Sequence, residues 1–165
     1  MAAKHFGLAT PVSFNKLEKG ALVLAAPHTG QRFFGVVSKV NHDHVLVVLS
    51  ASDNDIHAAI DLGNVVDDLW LIPGTLEIEP TSDPFMNHSK RTTVPSYIIN
   101  SDGNIGSQFL YRNEVGQHQM FAVDLNTGEH LDRADKVAAF QGAKLYIRQE
   151  GRKERFEWPS LTPDQ

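Results

Sequence analysis

The stretch Gly20–Leu49, GALVLAAPHTGQRFFGVVSKVNHDHVLVVL, decides the fold. It reads as three successive strands, Ala21–Ala26, Arg32–Asn41 and Val45–Ser50, joined by Pro27-His28-Thr29-Gly30-Gln31 and by the tight polar turn His42-Asp43-His44. β-rich runs at such short spacing, punctuated by turn residues, mark a small antiparallel sheet or barrel. Phe34, Val36, Ser38 and Val40 fall on one face of the middle strand, with Phe33, Gly35, Val37 and Lys39 on the other. Both faces are largely apolar, so this strand is expected at the centre of a sheet covered on both sides. Gly35 within it predicts a bulge or a close backbone approach, the usual device for curling a sheet.

Working outward, Met1–Asn15 reads as an extended arm whose Phe6, Leu8, Val12 and Phe14 dock on the sheet. After the three strands, Ser52-Asp53-Asn54-Asp55 offers helix caps and Ile56–Leu62 a helical turn closed by Gly63. A strand competes there, because Ile56, Ala58, Ile60 and Leu62 also alternate. Val65–Ile72 leads to the turn Pro73-Gly74, and Thr75–Glu79 alternates like a strand with one wet face. Pro80–Pro95, with three prolines, reads as a linker. The second half is again β: Tyr97–Asn100, the turn Ser101–Asn104, Gln108–Arg112, Met120–Leu125, Glu129–Leu131, Lys136–Phe140, Lys144–Gln149 and Arg152–Trp158. Asp132–Ala139 fits one helical turn as an alternative.

The segments Lys19-Gly20-Ala21-Leu22-Val23-Leu24, Gly35-Val36-Val37-Ser38-Lys39-Val40 and Val45-Leu46-Val47-Val48 carry a resemblance. Together they resemble, at the level of fold, the small SH3-like barrels of the KOW and Tudor type, over about a fifth of the chain. The resemblance implies a binding module for peptides, modified tails or RNA, and no reaction. The expected fold class is therefore all-β with few short helices: two small antiparallel sheets or SH3-like barrels packed together. The expected division is an arm over 1–15, a first unit over 16–80, a linker over 81–95 and a second β unit over 96–158.

With 41% hydrophobic and 21% charged residues the chain has side chains enough to bury a core. Its net charge is -5, and the acidity sits in the first half: residues 1–80 carry five Lys and Arg against nine Asp and Glu, residues 81–165 ten against eleven. That balance argues against a general nucleic-acid binder and leaves a basic patch only in the second half. Cysteine is absent, which removes disulfides, thiol nucleophiles and Cys-ligated zinc. Met1–Phe14 has no apolar run fit for a signal peptide and no stretch spans a membrane, so a soluble cytoplasmic protein is expected.

Eight histidines supply the most conspicuous chemistry. His42 and His44 flank Asp43, and alternate spacing points both imidazoles one way on an extended segment. A third ligand is nominated by an internal echo, in which Gly30, Phe33, His42, Val47 and Leu49 recur 76 residues on as Gly106, Phe109, His118, Val123 and Leu125. The plainer account, that a polar turn needs hydrogen-bonding residues, is favoured, and neither a metal nor a cofactor is assigned. Asp124-Leu125-Asn126-Thr127-Gly128 begins like a calcium loop, but Ala134 stands where the bidentate Glu is needed, so a hairpin turn is the better reading. Ser50-Ala51-Ser52 beside His57 and Asp61 can be imagined as a nucleophile set, but such residues occur together by chance in most chains, and no catalytic or nucleotide-binding motif occurs. Arg148, Arg152, Lys153 and Arg155 lie near Tyr146, Phe156 and Trp158, a mixture suited to nucleic acid. Glu150, Glu154 and Glu157 dilute it, which favours a salt-bridged hairpin face. The reading leans away from an enzyme, towards a module that binds a protein partner or itself through sheet edges. The alternatives are a nucleic-acid-associated domain using Arg148–Arg155 and a His-based metal-dependent or hydrolytic enzyme.

Overall fold

The computed structural model describes residues 9–26, 30–52, 58–64, 68–81, 85–86 and 95–158. Its strands are β1 (Thr10–Pro11), β2 (Leu22–Ala25), β3 (Phe33–Val40), β4 (Asp43–Ala51), β5 (Ala58–Asp61), β6 (Leu69–Ile72), β7 (Thr75–Pro80) and β8 (Phe85–Met86). They continue with β9 (Ser96–Asn100), β10 (Ile105–Arg112), β11 (His118–Asp124), β12 (Lys136–Phe140), β13 (Ala143–Gln149) and β14 (Arg152–Arg155). Helix is limited, among the described residues, to 3-10 turns at Phe14–Lys16, Leu62–Asn64 and Arg133–Asp135. Three antiparallel sheets result, ordered β1-β6-β2-β3-β4-β5, β11-β10-β9-β12-β8 and β14-β13-β7. Among the described residues none closes into a barrel, and of the two architectures expected the antiparallel sheets are the one seen. The six-stranded sheet contributes to a separate apolar cluster on each of its faces. Among the described residues no helix is long and apolar enough to cross a membrane.

β3 lies inside its sheet and is buried along all but Lys39. Phe34, Val36 and Val40 enter the larger hydrophobic cluster, while Phe33 and Val37 enter a second one on the opposite face. The ladder with β4 slips between Phe34 and Gly35, the bulge anticipated at that glycine. A Cβ on Gly35 would stand 2.0 Å from the Val47 carbonyl oxygen, so only glycine lets the two backbones approach so closely. The following turn is one residue earlier than His42–His44. Asn41 and His42 make it, with φ of 51° and 71°, and Asp43 and His44 are already in β4. A two-residue turn with both residues left-handed matches the twist of the flanking strands, which is why the shorter turn wins.

The larger cluster runs from Leu22, Phe34 and Val47 in the first half to Phe109, Phe140 and Phe156 in the second. Residues of both expected units, 16–80 and 96–158, thus share one apolar interior. β7 also bonds directly to β13, from Thr75–Arg148 to Pro80–Ala143. The turn after β11 docks on the first sheet: the buried Ser38 hydroxyl donates to the Gly128 carbonyl at 2.6 Å, and a Cβ on Gly128 would stand 2.5 Å from both the Gly20 nitrogen and the Val37 carbonyl oxygen.

Other local expectations shift. Of the segment Ile56–Leu62, residues 58–61 form a strand and a 3-10 turn begins at Leu62, so the strand reading applies and Gly63 lies inside the turn rather than after a helix. Val65–Ile72 contracts to β6 among the described residues, and Glu129–Leu131 makes a single bridge, His130 to Val123, instead of a strand. Arg152–Trp158 ends as a strand at Arg155. Most of the linker 81–95, the Pro27–Thr29 joint, the caps at 53–55 and the arm before residue 9 lie outside the described residues. β8 pairs with β12 within that linker, and Val12 and Phe14 pack against the second cluster.

Candidate functional site

The histidines nominated from sequence do not gather into one ligand set. His42 sits in the left-handed turn. His44 is in β4, with its ring edge-on to Phe14 at 5.2 Å. His118 opens β11, exposed, opposite Arg112. Among the described residues no group of three or more His, Asp or Glu is placed to hold a metal ion. The echoed region does come close in another way: the Asn41 side-chain amide donates at 2.7 Å to the carbonyl of Arg112, His118's cross-strand neighbour. A histidine not singled out, His130, donates from Nε2 to the Lys39 carbonyl at 2.8 Å and ties the post-β11 turn to β3.

What assembles beside the turn is a polar cluster of Asp43, Asp61, Tyr111 and Arg112. Tyr111 donates its hydroxyl to Asp43 at 3.0 Å. Arg112 Nη2 reaches Asp43 at 3.3 Å and Asp61 at 2.9 Å. Asp61 also accepts from the Gly63 N–H at 2.9 Å. Burial first, and then the bond to Asp43, pushes the Tyr111 phenol up to about 12. The phenol therefore stays protonated near neutrality and acts as a donor, not as a base. Both carboxylates already accept from Arg112, so these groups satisfy one another. The cluster clamps β4 and β5 of one sheet to β10 of another. No spacing rule brings Asp43, Asp61 and the pair Tyr111-Arg112 together, because strand packing across sheets unites them.

The basic segment forms the hairpin β13–β14. Leu145, Ile147 and Phe156 are buried, and the alternation of a strand puts Tyr146, Arg148, Lys153 and Arg155 on the outer face. Glu77 of β7 stands among them. Arg148 Nε donates to it at 2.7 Å and Lys153 Nζ at 3.0 Å. Those two bonds, Arg148's first, hold the Glu77 carboxyl below its ordinary value. Lys153 also lies 4.6 Å over the Tyr146 ring. Arg155 stands opposite Tyr146, whereas Arg152 closes the turn opposite Gln149. Arg148 and Lys153 do make a salt-bridged face, but their partner is Glu77 of β7, which sequence reasoning did not single out, and not the glutamates of the hairpin that it named.

One open groove, of about 660 Å³, runs between Pro11–Asn15 and Asp68–Trp70. Its walls meet where the Val12 N–H donates to the Leu69 carbonyl at 3.0 Å. Asp68 is the one charged residue among its described walls, and these walls offer no convergent polar set. No family model matches the chain, nor does any curated protein. No solved structure matches it either, so its reading rests on its own residues.

Proposed function

We propose that this chain is a non-enzymatic binding and assembly module that recruits an extended protein segment at a sheet edge. The observation that carries the reading is the openness of all three antiparallel sheets, which among the described residues leaves terminal strands with one bonded side. Such edges present rows of backbone donors and acceptors that a further strand satisfies. The self-satisfied polar cluster at Arg112 and the scattered histidines supply no acid–base pair or ligand set, which supports binding over catalysis. Hydrogen exchange tests the reading. With rising protein concentration, or with extended peptides added, amides of terminal strands gain protection. Unchanged exchange at every edge, in a protein monomeric throughout, overturns it.

The second reading, nucleic acid along Arg148–Arg155, draws on the exposed cations of the β13–β14 face. Glu77 offsets part of that charge, and Lys153 covers the Tyr146 ring on which a base would stack. Binding that falls steeply with salt, and falls again on Arg152→Gln, is what this alternative requires.

A further inference from the structure

β14 bonds to β13 on one side and, among the described residues, to no strand on the other. The register across the hairpin pairs Gln149 with Arg152, Ile147 with Glu154 and Tyr146 with Arg155. A two-residue turn makes Gln149–Arg152 a hydrogen-bonded pair, and every second pair repeats it. The Phe156 N–H donates to the Leu145 carbonyl at 2.8 Å, in step with that alternation. Lys153 and Arg155 therefore turn their own backbone N–H and C=O outward to the free edge.

The other side of β13 shows what this basic sheet pairs with. β7, Thr75-Leu76-Glu77-Ile78-Glu79-Pro80, buries Leu76 and sets Glu77 on the outer face with Arg148 and Lys153. Glu79 stands opposite Lys144 in the same ladder. β14 repeats the cationic alternation of β13 but has no acidic neighbour strand beyond it among the described residues. On the outer face a second copy of β14 would set Lys153 against Arg155 or against another Lys153, and like charges directly opposite are destabilising. We propose that the free edge of β14 takes an extended segment of a protein partner with alternating acidic and apolar side chains, added as a fourth strand in the manner of β7. This assignment rests on the binding-module reading and specifies its edge and its partner chemistry.

The test titrates isotope-labelled protein with a peptide carrying the Thr-Leu-Glu-Ile-Glu sequence of β7 written twice, followed by amide chemical shifts. A counterpart with Lys for Glu and an oligothymidylate serve as comparisons. The expected result is movement of the Lys153 and Arg155 amides by the acidic peptide, with affinity at least about tenfold weaker for the Lys peptide. Arg155→Pro removes one outward donor while sparing the bonds to β13, and is expected to weaken binding comparably. Arg155→Glu, which keeps the backbone donor, gives the same loss through charge if proline disturbs the hairpin. Equal binding of both peptides overturns the acidic preference. Shifts confined to another edge overturn the choice of β14 and leave the binding module standing. Movement of these amides by the oligonucleotide, with the acidic peptide inert, replaces the partner by nucleic acid. Silence at every edge, in a protein monomeric at all concentrations, removes the assignment and the functional reading together.

Discussion

Hairpin β3–β4 turns at Asn41-His42 and hairpin β13–β14 at Glu150-Gly151, and all four residues have positive φ, 51°, 71°, 46° and 80°. The local construction is shared, yet the two hairpins end in opposite surroundings. β3 is flanked by β2 and β4 and covered on both faces, whereas β14 is a margin with Arg152, Lys153 and Arg155 exposed. The two meet in the core, where Phe34 and Phe156 stack with centroids 4.1 Å apart. A turn and an alternation thus make a hairpin, and side-chain character decides whether its strand is enclosed or left as an edge. Apolar residues on both faces demand cover on both; a cationic outer face tolerates water.

The largest effect expected from breaking this contrast is at Phe34. Phe34→Ala empties a fully buried site and is expected to cost about 4 kcal/mol in urea unfolding. A loss below about 1 kcal/mol would mean that the stack with Phe156 does not join the hairpins.

The glycines of the two hairpins sharpen the contrast further. Gly35→Ala forces a Cβ towards the Val47 carbonyl and is expected to destabilise by about 3 kcal/mol. Gly151→Ala meets nothing within 4 Å, so only its left-handed backbone objects, at about 1 kcal/mol. Comparable losses at both sites, measured in the same denaturant series, would show that enclosure does not distinguish the hairpins.

Tyr111 anchors the start of β4 through Asp43, a tie across sheets. Its folded pKa, about 12, lies above the ordinary 10, so the stability it lends is complete below pH 10 and is lost as pH rises towards 12. The wild-type melting temperature should fall across that window more steeply than that of Tyr111→Phe. Parallel curves would show that the bond contributes nothing. The smallest effect is at Glu77, whose carboxyl is held below 4.5 by Arg148 and Lys153. Its contribution is present above pH 4.5 and is lost as pH falls through the lower folded value. Glu77→Gln should remove that dependence and its sensitivity to salt, with little change at neutral pH; an equal acid response in both proteins would locate the dependence elsewhere.

Much of the fold was legible because its signals are local. Lys136–Phe140 falls where expected, and Arg32–Asn41 was readable as a covered central strand because both its faces are apolar. The slip at Gly35 was readable for the same reason, since a glycine in a strand marks an irregularity wherever the strand goes. The turn at Asn41-His42 was displaced by one residue because His, Asp and Asn all suit turns and only strand twist selects the two that fit. The polar cluster was invisible: Asp43 and Tyr111 are 68 positions apart and share no motif.

The amino-acid sequence by itself determined an all-β chain of hairpins, its apolar central strand and the basic outer face of its last hairpin. Each follows from period-two alternation and turn chemistry over a few residues. Only the tertiary structure decided that the sheets stay open, that β7 crosses to pair with β13, and that Asp43, Asp61, Tyr111 and Arg112 meet. The reason is physical: strand pairing between distant segments is chosen by the packing of whole faces, and neighbouring residues do not encode it.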